Sequence, residues 1–154
     1  MPDIDFAHAA RRIAERCPGM RARQASRMLS RLYDDALRPL GVQGSQLSLL
    51  VAVAMFGEGG ATLGPLAQAL AMDRTTLTRN VRPLERSGLL RVARSPEDAR
   101  ARIVLLTRAG ERLLEAAYPV WERVTMRITE AVGRGNMAAL HAQLDSIVQQ
   151  TRQL

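Results

Sequence analysis

The chain has 154 residues, 47% of them hydrophobic and 3% aromatic, enough to bury a core and too apolar for global disorder. Its 22 basic residues, all arginine, outnumber 15 acidic ones for a net charge of +7, a field that attracts polyanions. The lone Cys17 excludes an intrachain disulfide framework, no signal peptide is visible at the N-terminus, and the longest apolar run, Leu47 to Phe56 with Ser48 inside it, is too short for a bilayer, so a cytoplasmic protein without a membrane partner is expected.

Phe6, Ile13 and Ala14 suggest a short helical turn, which Pro18-Gly19 separates from a long helix over about Met20–Leu40. In that helix Met28, Leu29, Leu32, Tyr33, Ala36, Leu37 and Leu40 recur at three- and four-residue spacing. Gly41 ends it, and Ser45 is a fitting N-cap for an apolar, central helix over Gln46–Phe56. After the loop Gly57–Gly60 comes a short helix, Leu63–Leu70, a tight turn at Ala71-Met72, and a helix from Arg74 to about Arg86, capped by Asp73 and closed by Gly88. Pro83 should kink or loosen its last turn. Residues 89–94 and 102–106 form a β-hairpin around the turn Ser95-Pro96-Glu97-Asp98. Thr107 then caps a long helix that Pro119 should bend, with apolar positions from Leu113 through Trp121 to Val132. Gly133 to Gly135 breaks the chain before a last helix with Met137, Leu140, Leu144, Ile147 and Val148.

This order predicts a mainly α fold with a small β-hairpin wing: a winged helix-turn-helix over 41–107, flanked by helical regions at 1–40 and 108–154 within one integrated domain. The outer helices are more apolar than so small a unit needs, which points to a partner subunit.

On the helix after Asp73, Leu77, Val81 and Leu84 form one stripe, and Thr75, Arg79, Arg82 and Arg86 lie opposite with Thr76 at the flank. Arg74 stands at its first position. A solvated face is the commoner reason for surface arginines, but this face holds three arginines and no acid. Arginine forks onto guanine, and threonine meets a thymine methyl or a phosphate, so the pattern suits a major groove. Arg91, Arg94, Arg100 and Arg102 gather about the hairpin turn against Glu97 and Asp98, as a wing entering a minor groove requires. Asp98 is placed to hold the Arg100 guanidinium in a bidentate pair. Simple turn chemistry accounts for Ser-Pro-Glu-Asp equally well.

The stretches Met72–Arg79, Leu84–Leu89, and Asp98-Ala99-Arg100-Ala101-Arg102 leading to Leu105–Gly110 together resemble the MarR family of transcriptional regulators, over about Arg21 to Leu154. The resemblance implies an intertwined homodimer on double-stranded DNA with a pseudo-palindromic operator. It places Thr75, Thr76, Arg79 and Arg82 in the major groove, and Asp98 and Arg100 at the wing. It further implies a repressor released by a small, often aromatic ligand, or alternatively by cysteine oxidation. Tyr33, Phe56 and Trp121 are candidates for a ligand pocket, although aromatic residues at helical spacing are more often plain core. Cys17 is the redox candidate, with Arg16 and Arg21 near enough to lower a thiol pKa. It departs from the hydroperoxide-sensing branch by lying about two residues too far upstream of Ala25-Ser26-Arg27, behind Pro18-Gly19.

Enzyme function is not expected. His8 and His141 are the only histidines, no metal-ligand spacing occurs, and the Gly57–Gly64 stretch fits neither a dinucleotide fingerprint nor a P-loop, which needs a lysine. No metal or cofactor is implied. A sequence-independent architectural DNA binder would explain the charge but not the ordered Thr/Arg face.

Overall fold

The computed structural model describes residues 5–96, 98 and 100–152; Glu97 of the predicted turn lies outside them. Helices α1 (Phe6–Arg16) and α2 (Pro18–Leu37) are separated by Cys17 alone. Pro18-Gly19 therefore opens the long helix instead of breaking the chain ahead of it. Proline suits the first helical position because its missing N–H would have no intrahelical partner there and its φ is already helical. Helix α1 spans 11 residues, longer than the single turn expected from sequence.

A 3₁₀ turn, Arg38–Leu40, closed by Gly41, leads to α3 (Gly44–Ala54), which starts ahead of the predicted cap Ser45. Gln43 and Gln46 cap each other's backbone reciprocally, and the Asp34 carboxylate on α2 accepts from the Gly44 N–H at 2.7 Å. The first orphan amides are thus satisfied before Ser45 is reached. Helix α3 also stops at Ala54, leaving Met55 and Phe56 in a turn.

Strand β1 (Ala61–Thr62), too short to read from sequence, precedes α4 (Leu63–Ala69) and α5 (Arg74–Arg86). Helix α5 runs through Pro83 to Arg86. It closes in a Schellman arrangement, Gly88 N–H to Glu85 O at 3.0 Å and Leu89 N–H to Leu84 O at 2.9 Å, with Gly88 at φ +74°, a left-handed value that glycine adopts without a Cβ penalty. Strands β2 (Leu90–Arg94) and β3 (Arg102–Leu106) form the hairpin, and β1 joins the other edge of β3, giving an antiparallel sheet ordered β1-β3-β2. The chain finishes with α6 (Arg108–Val132), one continuous helix through Pro119, and α7 (Arg134–Thr151). The break between them is Gly133 alone; Gly135 is already helical.

Two apolar clusters hold these elements. Leu49, Leu50 and Val53 of α3, Leu66 of α4, Leu77, Val81 and Leu84 of α5, Leu90 and Val104 close the first, beneath the helix-turn-helix and sheet. Leu37, Val42, Leu47 and Ala117 form the second, where α2, α3 and α6 meet. Partly buried Leu89, Leu113 and Leu114 pack against both, so α6 is seated on the winged unit by shared side chains. Among the described residues no helix is long and apolar enough to cross a membrane.

Candidate nucleic-acid interface

Helix α5 is fixed at its start by Asp73. One carboxylate oxygen accepts from the Thr76 N–H at 2.8 Å and the other from the Thr76 hydroxyl at 2.6 Å. These bonds, the hydroxyl's first and the amide's second, hold the Asp73 carboxyl below its ordinary value of 3.8. The cap engages the Thr76 hydroxyl hydrogen, which leaves that oxygen as an acceptor.

Leu77, Val81 and Leu84 are at most 4% exposed, while Arg74, Thr75, Thr76, Arg79, Arg82 and Arg86 are all exposed. The predicted division of the helix into a core stripe and an outward Thr/Arg face is therefore the observed one. Arg74 turns back, since a Cβ on Gly64 would lie 3.2 Å from its guanidinium, which places it over the first turn of α4. Arg79, Arg82 and Arg86 surround a shallow depression with Glu85.

In the wing, Arg91, Arg94, Arg100 and Arg102 are exposed. Arg94 and Arg102 are direct cross-strand partners. Like charges at opposed positions are unfavourable to a hairpin, a cost that a polyanion relieves. The Asp98 carboxylate does not pair with the Arg100 guanidinium as the sequence suggested. It accepts from the Arg100 backbone N–H at 2.9 Å, because an aspartate readily closes a turn on the amide two residues ahead. Among the described residues, ion pairs join Arg38 to Asp35 and Arg108 to Glu111, and no arginine of α5 or the wing takes part in one.

Away from this surface, α2, α3, α6 and α7 enclose an apolar groove of about 880 Å³. Tyr33 and Trp121 line it together with Met55, Tyr118, Leu140 and Leu144, and no lining side chain is charged. The Tyr33 hydroxyl lies 2.9 Å from that of Thr125, and the Tyr118 and Trp121 rings are 5.9 Å apart. Phe56, in the turn after α3, is not among the lining residues, although its neighbour Met55 is. The contributions of α7 and Tyr118 are not legible in sequence: the helical spacing marks Leu140 and Leu144 as apolar positions and leaves Tyr118 out, and it does not say which helices face one another. Cys17 sits half-buried at the α1–α2 junction, and Arg21, proposed to act on its thiol, donates instead to the Glu15 carbonyl at 3.0 Å.

Comparison with known proteins gives the family. The model described as "MarR family" matches residues 40–101. The chain is 30% identical over 97 residues to the HTH-type transcriptional regulator YwoH of Bacillus subtilis, a match that covers 60% of this chain and 65% of YwoH, just short of two thirds of that protein's length. The M. tuberculosis transcriptional regulator MosR in complex with DNA is 33% identical, with a TM-score of 0.79 over 88% of this chain and 96% of that one. A second MosR structure, not described as a DNA complex, is 32% identical and gives a TM-score of 0.69 over 85% of this chain and 97% of that one. With a winged helix-turn-helix whose outward helix face carries the arginines, and a relative this similar over nearly its full length, the chain belongs to the MarR family of transcriptional regulators.

Proposed function

We propose that this chain is a sequence-specific regulator of transcription that binds duplex DNA as a homodimer, α5 entering consecutive major grooves and the wing the flanking minor grooves. The observation that carries the reading is the division of α5, with Leu77, Val81 and Leu84 buried and Thr75, Thr76, Arg79, Arg82 and Arg86 outward and free of ion pairs among the described residues. Guanidinium groups in that position supply both phosphate attraction and base-edge hydrogen bonds. The arginines of the wing extend the same positive surface, and the DNA complex of MosR, a relative of similar length, supports the reading.

The dimer is supported by apolar side chains that one chain leaves in water. Phe6 is 82% exposed and Ile13 59% on α1, and Leu144, Ile147 and Val148 stand out along α7. Helices with such faces are stable when a second copy covers them.

We further propose that the regulator is a cytoplasmic repressor and that a small ligand with an aromatic, weakly polar body releases it from DNA by occupying the groove beside Tyr33 and Trp121. The volume suits a small molecule, and the absence of charge on the lining favours an uncharged one.

The deciding experiment is competition binding with a duplex selected by the purified chain from a random pool. The selected duplex should be preferred over random sequence by about 10³-fold or more. Equal affinity for both would reduce the protein to an architectural binder, and failure to bind either at moderate salt would remove the function altogether.

A further inference from the structure

Gln68 lies in the last turn of α4, where carbonyls have no intrahelical donor. Its oxygen accepts from the Ala71 N–H at 3.2 Å, closing the turn that leads into α5. Ala71 is the one non-glycine with positive φ (+50°) among the described residues, so this turn is held in a conformation it would not take unaided. A second donor reaches the same oxygen from far along the chain. The Arg152 guanidinium, at the C-terminal end of α7, lies 2.7 Å from it across 84 residues. Two to three turns earlier on the same helix, Leu140 and Leu144 form part of the groove lining. Helix α7 therefore touches the groove near its middle and the helix-turn-helix at its end.

We propose that Arg152 is a positioning residue that couples the groove to the DNA-binding turn. Whatever displaces Leu140 and Leu144 moves α7, withdraws the guanidinium from the Gln68 carbonyl, and loosens the turn that sets α5 against α4. The inference rests on the reading that α5 binds DNA and the groove takes the effector. It adds a route between the two sites: a contact with two arrangements whose equilibrium both ends bias. As a whole the chain is more similar to the DNA complex of MosR than to the second MosR structure, and on this proposal loss of the contact should weaken DNA binding.

Trp121 is the only tryptophan and lines the groove, so its emission reports on the groove without a known effector. The test compares the full-length chain, Arg152→Ala and Arg152→Lys, titrated with a duplex selected from a random pool, with Trp121 emission followed to saturation and thermal melting recorded for each. The parent should show a change in emission at saturation. Arg152→Ala should melt as the parent does, bind about fivefold or more weakly, and lose most of the emission change even when saturated. Arg152→Lys, which keeps a donor, should recover most of it. A weaker Kd with a full emission change at saturation would make Arg152 a plain phosphate contact and overturn the coupling, as would a parent that binds DNA with no emission change. A parent that selects no duplex would remove the DNA-binding reading itself, which separates that failure from failure of the coupling.

Discussion

Gly110 faces the Leu89 carbonyl so closely that a methyl group added there would lie 2.4 Å from the oxygen, with Leu106 Cδ1 at 2.7 Å on another side. The contact joins the first turn of α6 to the point where α5 has ended and β2 begins. Thr107 reinforces it, since its hydroxyl donates to the Gly88 carbonyl at 2.7 Å and accepts from the Gly110 N–H at 3.1 Å, while its own N–H reaches Leu89 O at 3.2 Å. Gly110→Ala should therefore destabilise the fold by about 1–3 kcal/mol, the usual effect of overpacking a rigid site. Thermal or urea unfolding checks this, and a variant as stable as the parent would mean that α6 shifts freely on the wing.

Arg79→Ala should lower affinity for a selected duplex by about 1–3 kcal/mol and relax discrimination at the base pair it reads. Affinities for the duplex and its single-base variants decide the matter. Loss of affinity with discrimination intact would assign Arg79 to the phosphate backbone.

The wing separates two roles that sit two residues apart. Arg100→Ala should weaken binding chiefly where the flanks are A·T-rich, because a narrow minor groove concentrates negative potential. Asp98→Asn should be nearly silent, since an amide oxygen still accepts from the Arg100 N–H, whereas Asp98→Ala removes the acceptor and should loosen the turn. An Asp98→Asn variant as impaired as Asp98→Ala would show that the carboxylate charge matters, as the guanidinium pairing read from sequence required.

Asp73 gives a pH signature. Its folded carboxyl titrates below 3.8 because the Thr76 hydroxyl and amide stabilise the charged form. The cap's charge-dependent contribution is thus fully present above the unfolded value and is lost as pH falls through the lowered folded value. Melting temperature should fall less steeply across that acidic window in Asp73→Asn than in the parent. Parallel curves would remove the carboxylate from the account.

The sequence by itself determined α5, because every signal there is local. Asp73 caps it, Gly88 closes it, and the 3.6-residue period assigns Leu77, Val81 and Leu84 to the inside and the Thr/Arg set to the outside. The hairpin was legible for the same reason, through alternation and a strong turn. The tertiary structure decided everything that depends on which elements face one another. It recruited Asp34 from α2 to help start α3 before Ser45, kept Phe56 out of the groove that Met55 lines, and turned Asp98 onto a backbone amide. It also made a third strand from two residues at Ala61 and set Arg152 against Gln68. Periodicity fixes which side of a helix is apolar, but a close approach or a hydrogen bond across 84 residues depends on how whole elements pack, and no local pattern encodes it.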